Sequence, residues 1–266
     1  MLFRIRLGCR RYCTCGVRLA TWNDPVASRP GASSEWAQGG CLMIEVHRLH
    51  LTDITPAPNL PWTRPTFPVF GYLIAHPAGP IVIDTGVGTN NLLIKKLYSP
   101  VHHDLDEALS RHGVRVEDVH TVITSHLHFD HCGQNYRFRD SRIFVQRAEI
   151  EAAREPLYTV PEWAFPEDIS LTAIDGDLHV ADGVRIISTP GHTPGHQSVL
   201  IEDGNGTRTI VCCQASWNTQ SFDARTLGDD GWDQQEGVRS LEILRALDPH
   251  RVVLSHDIDE WHSQRS

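Results

Sequence analysis

From Met43 onward, short apolar runs alternate with stretches in which apolar residues recur every three or four positions, the pattern of strands interleaved with helices. Phe70–Ile74 and Ile81–Ile83 read as strands, and Pro77-Ala78-Gly79 between them supplies a turn, so the pair predicts a hairpin. Asp104-Leu-Asp-Glu107 reads as a capping box with Asp104 as the cap. Leu105, Ala108 and Leu109 form the apolar stripe behind it, and Gly113 closes the short helix. Val119–Thr124 and Arg142–Val145 are strand-like, and Ala148–Arg154 is helical. Val184–Ser188, Ser198–Ile201, Thr209–Cys213 and Arg251–Leu254 are further strands. Val238, Leu241, Leu244 and Leu247 mark the last strong helix, which Pro249 ends. Alternating strands and helices predict an α/β layered fold, with residues 43–266 as one domain.

Two segments depart from that rhythm. Residues 155–178 carry Pro156, Tyr158, Pro161, Trp163, Phe165 and Pro166, too many aromatics for a linker, and read as an insertion that covers something. With Trp62 and Phe67 from the early loops, they are expected to line an apolar pocket. Residues 1–42 show no strand or helix period and are expected to be a disordered extension.

The candidate chemistry is concentrated at three places. His126, His128, Asp130 and His131 fall within six residues, directly after a predicted strand. Residues two apart at a strand end project to the same side, so His126 and His128 can share a partner. Imidazole and carboxylate are donors suited to zinc and other first-row ions. Thr189-Pro-Gly-His-Thr-Pro-Gly-His196 also follows a strand, and its Pro and Gly residues make a rigid turn that fixes His192. His196 is expected to support the site from behind or to hold backbone. Ser255-His-Asp257 follows the last strand and delivers His256.

Composition narrows the function class. The formal net charge is −9, and six Arg against Asp24 and Glu35 make residues 1–42 +4, which leaves −13 for the rest. An acidic body lacks the basic face that nucleic acid or anionic lipid requires, so a small-molecule substrate is expected. Seven Cys show no paired framework, which suits a reducing cytoplasm. No apolar run reaches the roughly 20 residues of a membrane helix.

His126-Leu-His128-Phe-Asp130-His131, with Ile83-Asp84-Thr85-Gly86 before it and Pro190-Gly-His192 after it, resembles the metallo-β-lactamase superfamily from about Met43 to His262. The second cluster is most similar to the N-acyl homoserine lactonase branch. The resemblance implies a four-layer αββα sandwich. It implies one metal, zinc by expectation, on His126, His128 and His192, and a second on Asp130, His131 and His256, with Asp84 supporting from outside the ligand shell. The implied reaction is attack of metal-activated water on a lactone or ester carbonyl. Thioester hydrolysis of the glyoxalase II type is the alternative. The chain departs from the pattern twice. Gln214 stands where the family carries an Asp that bridges the two metals, and Trp217 stands where lactonases carry a Tyr near the substrate carbonyl. A neutral Gln compensates two dications poorly, so the second ion is expected to bind more weakly. The same loss motivates a reading as a non-catalytic metal- or ligand-binding relative. Catalytic roles are expected for Asp130, as water orienter or proton carrier, and for the indole N–H of Trp217 at the oxyanion.

Overall fold

Apolar residues on successive strand positions point to opposite faces, and in this chain both faces are apolar, so each sheet must be covered on two sides. A computed structural model describes residues 42–60, 65–228 and 231–263, which fall within one compact unit, Cys41–Ser266. One sheet contains β1 (Glu45–Ile54), β2 (Phe67–Ala75), β3 (Ile81–Ile83), β4 (Val101–His102), β5 (Thr121–Ile123), β6 (Arg142–Gln146) and β7 (Leu171–Ile174), in the order β4-β1-β2-β3-β5-β6-β7. The other contains β8 (Leu178–Ala181), β9 (Val184–Ser188), β10 (Gln197–Glu202), β11 (Arg208–Cys213), β12 (Arg251–Leu254) and β13 (Trp261–His262), in the order β13-β12-β11-β10-β9-β8. The helices are α1 (Leu92–Tyr98), α2 (Leu105–Ser110), α3 (Arg147–Ala152), α4 (Pro161–Ala164), α5 (Thr219–Ala224) and α6 (Gln234–Ala246).

The layering follows from which alternate residues each strand buries. Tyr72, Ile74, Ile81, Ile83 and Ile123 of the first sheet meet Ile186, Val199, Val211 and Val253 of the second in a central core. The opposite faces of the same strands bury Leu73, Val82, Val122 and Val145 against Leu105 and Leu109 of α2. On the far side, Ile210, Cys212, Val252 and Leu254 pack on Leu241 and Leu244 of α6. The result is the four-layer αββα sandwich, and among the described residues no helix is long and apolar enough to cross a membrane.

Most expected elements are present. The hairpin pairs Leu73 with Val82 and Ile74 with Ile81. Asp104 caps α2 by accepting from Glu107 N at 3.0 Å. The reciprocal half of the capping box does not form, because the exposed Glu107 carboxylate takes Arg111 at 2.7 Å one turn on. Residues 155–178 are more than a cover. Leu171–Ile174 joins the sheet parallel to β6, and Trp163 is buried in a cluster with Phe67, Val87 and Ile94. The expectation for the N-terminal extension lies outside the described residues up to Cys41. Leu42 packs on the central core, and its carbonyl accepts from Gly204 N at 2.7 Å. Trp62 also lies outside the described residues.

Tyr72 pins the two sheets together. Its ring is fully buried, and its hydroxyl donates to Leu254 O at 2.6 Å, at the end of β12. Tyr72→Phe leaves that carbonyl buried without its partner and is expected to lower unfolding free energy by about 1–2 kcal/mol. Denaturant titration of both proteins checks this, and an unchanged midpoint would contradict it.

Candidate metal centre

Parallel strands end at the same edge of a sheet, and here five such ends converge. β3 and β5 run parallel in the first sheet. In the second, β11 and β12 run parallel, and β9 lies two antiparallel steps from β11 and so shares its direction. Asp84 follows β3, His126–His131 follow β5, His192 follows β9, Gln214 follows β11 and His256 follows β12. Two non-glycine residues there adopt left-handed backbone, Asp84 (φ 57°) and Cys213 (φ 53°). That conformation costs roughly 1–2 kcal/mol each, and the surrounding structure has to sustain it. At Cys213 the β11–β12 register also shifts, which turns the chain so that Gln214 enters the site.

The donors gather as two triads, His126/His128/His192 and Asp130/His131/His256, the donor atoms of each lying within 4.8 Å of one another. His126 Nε2 and His192 Nε2 each lie 3.1 Å from His128 Nδ1. Asp130 Oδ2 lies 3.6 Å from His131 Nε2 and 3.7 Å from His256 Nε2. Tetrahedral zinc with ligands at 2.0–2.1 Å sets neighbouring donor atoms roughly 3.3 Å apart, so both triads have the right spacing. Gln214 Oε1 stands 3.1 Å from His131 Nε2 and 3.2 Å from His256 Nε2.

Proton placement shows that these atoms are arranged for a cation. His256 Nδ1 lies 3.0 Å from Pro68 O, an acceptor only, so Nδ1 carries the proton. Burial holds the pKa of His256 down to about 4, so the ring is neutral and Nε2 is a bare lone pair. That lone pair faces Gln214 Oε1 and Asp130 Oδ2, two more acceptors. His126 repeats the pattern. Ser125 Oγ donates to Asp84 Oδ2 at 2.7 Å and so accepts from His126 Nδ1 at 3.0 Å, leaving Nε2 bare. Burial, reinforced by the neighbouring imidazoles, keeps His126 well below the usual histidine range and therefore neutral. His131 differs. Burial opposes its charge, but Asp130 and Asp84 outweigh burial and raise its pKa, so an ion at Nε2 competes with a proton. Burial also opposes the charge of Asp130, yet His131, His256 and His128 prevail and lower its pKa, which keeps it a carboxylate.

Outside the triads, Asp84 accepts from His131 Nδ1 at 2.8 Å and from Ser125 N at 2.7 Å, fixing the ring through its outer nitrogen. His196 pairs with Thr189 Oγ1 at 2.9 Å, and its Nε2 accepts from Gln214 N at 3.2 Å, so it holds the Gln214 backbone. Gly195 packs so tightly on α3 that a Cβ would sit 2.2 Å from Glu149 N, and Gly191 (φ 148°) presses on Gly237 in the same way. These contacts explain the glycines of the second cluster.

The sequence reading missed Glu149. It is fully buried on α3 and accepts from Leu127 N at 2.8 Å, Tyr158 Oη at 2.5 Å, Thr193 Oγ1 at 2.7 Å and Gly195 N at 3.1 Å. One carboxylate thus ties the loop bearing His126 and His128 to the loop bearing His192. A Glu within a helical pattern gives no hint of this, because its partners come from distant segments.

Above the triads opens a cavity of about 1000 Å³. His128, Asp130, His192 and Gln214 reach it, and Phe67, Ile94, Leu97, Tyr98, Leu157 and Val160 give it apolar walls. Phe67 therefore lines it as expected, but of the 155–178 segment only residues 157–160 do, and Trp163 packs into the neighbouring apolar cluster instead. Trp217 also lines it, stacked on His256 with ring centroids 4.5 Å apart at 21°.

The profile of the metallo-beta-lactamase superfamily matches residues 64–256. An N-acyl homoserine lactonase of Bacillus sp is 34% identical over 208 residues, which cover 73% of this chain and 82% of that protein. The N-acyl homoserine lactonase AttM of Agrobacterium fabrum is 31% identical over 250 residues, covering 84% and 92%. A solved structure of an N-acyl homoserine lactone hydrolase, with its product N-hexanoyl-L-homoserine at the catalytic metal centre, superposes with a TM-score of 0.67 at 28% identity, covering 81% of this chain and 93% of that one.

His128 Nδ1 is the vertex shared by the contacts of the first triad, and its side chain is only part-buried. His128→Ala is therefore expected to stay folded while losing the first ion, read as a drop in bound metal by elemental analysis and loss of hydrolysis. Full metal content with full activity in that variant would overturn the assignment.

Proposed function

This chain belongs to the metallo-beta-lactamase superfamily and is a metal-dependent hydrolase; we propose that its substrate is an N-acyl homoserine lactone, whose ring ester it opens with water. The observation that carries this reading is the apolar cavity opening directly onto two triads of metal donors. Lactonases more than 30% identical over most of their length support it. Zinc is the proposed ion, since five imidazoles and one carboxylate make a nitrogen-rich, borderline-soft donor set. Bound there, it supplies acidification of water and polarisation of the carbonyl.

The chain's own residues do the rest. The apolar walls hold the acyl chain and keep bulk water from the ring. Asp130 Oδ2 faces His131 and His256, and Oδ1 takes the proton from the attacking water. The water oxygen bonds to the carbonyl carbon, the ring C–O bond breaks, and the same proton passes to the departing ring oxygen. The products are a free hydroxyl and a carboxylic acid, which gives up its remaining proton to solvent at neutral pH. Trp217, held by stacking on His256, donates its indole N–H to the carbonyl oxygen, where a phenol would serve in the lactonase branch. Hydrolysis of such lactones is quorum quenching. Buried free thiols at Cys132, Cys212 and Cys213 suit a reducing compartment, in keeping with a cytoplasmic enzyme.

Gln214 favours one rival. With a neutral side chain at 3.1 and 3.2 Å from the two imidazoles, the second triad has Asp130 alone as a direct charge, and a non-catalytic relative would hold ligand without turnover. A panel of N-acyl homoserine lactones, thioesters and aryl esters against zinc-loaded protein separates the readings. Lactone turnover abolished by chelation is expected. Faster thioester turnover would favour glyoxalase II-type chemistry, and no turnover of any substrate would leave a binding protein.

Gln214→Asp adds a charge beside the second triad and is expected to tighten the second ion, raising the metal retained after dialysis, and to increase lactone hydrolysis. Unchanged retention would show that the native site works without that charge.

A further inference from the structure

A third group of metal donors lies outside the cavity, at the edge of the first sheet. In a regular strand, residues 50 and 53 project to opposite faces. In β1 the register slips between His50 and Thr52, so Leu51 is an extra residue and both His50 and Asp53 turn to one side. β4 pairs with β1 through His102 opposite Thr52 and Val101 opposite Asp53. The next residue, His103, donates its backbone N–H to Leu51 O at 2.9 Å. The Asp53 carboxylate then takes His50 Nε2 on Oδ1 and His103 Nε2 on Oδ2, each at 2.9 Å. The two imidazole rings lie 4.1 Å apart at 41°, and the three donor atoms lie within 4.8 Å of one another.

We propose that His50, Asp53 and His103 bind a first-row dication of the zinc class, and that this ion staples one wall of the substrate cavity to the sheet. Two imidazoles and a carboxylate on one side of an ion, with water completing the shell, are the donor set such ions take. The exchange replaces two N–H···O contacts with one ion and needs only side-chain rotation. Side-chain exposures of 43%, 31% and 40% give the ion access.

The consequence lies upstream of His103. Residues 92–103 comprise α1 and β4, and Ile94, Leu97 and Tyr98 of α1 line the cavity. This segment is held to the end of β1 by the two-residue pairing with β4 and by Thr55 N to Tyr98 O (2.9 Å) and Ala57 N to Leu97 O (2.7 Å). Leu92 and Leu93 of the same helix are exposed, so packing contributes little to its outer face. An ion bridging His103 to His50 and Asp53 replaces the hydrogen bond from His103 to Asp53 with a metal bridge, which ties this wall to β1 more firmly.

The test uses the full chain, already loaded at the cavity centre, with Zn2+ as the probe. Isothermal titration and elemental analysis compare wild type, the double variant His50→Ala/His103→Ala, and the single variant His103→Gln, whose amide can still donate to Asp53 and so preserve the fold. Wild type is expected to take up one more zinc ion per chain than either variant. Amide hydrogen exchange across residues 92–103 is expected to slow on zinc addition in wild type alone. Equal zinc uptake in all three proteins would overturn the site, and an extra ion without slower exchange would overturn the staple.

Discussion

The fold is organised around atoms that repel one another unless something positive lies between them. Nε2 of His256, a bare lone pair, faces Gln214 Oε1 and Asp130 Oδ2, and Nε2 of His126, also bare, can only accept, from His128 Nδ1 or from a cation. Buried groups of this kind are expensive when unpaired. Their outer nitrogens are meanwhile committed as donors, to Pro68 O and to Ser125 Oγ. Each ring is thus oriented from behind so that it can only accept in front, and a divalent cation at each triad is the partner that satisfies these acceptors.

The two-sheet sandwich is the means of assembling them. Strands of both sheets end at one edge, where left-handed turns at Asp84 and Cys213 bend the chain into the site. Glu149 then locks the two histidine loops from beneath with four accepted hydrogen bonds. Its carboxyl is held by Leu127 N, Tyr158 Oη, Thr193 Oγ1 and Gly195 N, so the loops cannot separate without breaking these buried bonds. The apolar cavity on the open side completes the arrangement: a charged floor below, walls suited to an acyl chain above.

Much of this was legible in the sequence. Strand patterns at Val184–Ser188, Thr209–Cys213 and Arg251–Leu254, each followed by a polar residue, located His192, Gln214 and His256, because a residue after a strand is placed by the strand. The HxHxDH spacing identified the first loop. What stayed hidden depends on contacts between distant segments or on weak local signals. Glu149 looks like any helical glutamate. α1 carries Leu92 and Leu93 on an exposed face, so its apolar pattern marks a cavity wall and not a core stripe. His50 and Asp53 meet only because of a bulge, and a bulge has no pattern of its own. Glu107 satisfied the capping-box spacing yet went to Arg111, since an exposed carboxylate takes the nearest cation.

Anomalous diffraction at the zinc edge, from crystals of the wild-type chain grown with zinc, tests the central claim most directly. The account predicts one strong peak within bonding distance of His126, His128 and His192, and a second, weaker peak beside Asp130, His131 and His256. Crystals of folded protein with no peak at either triad would contradict it.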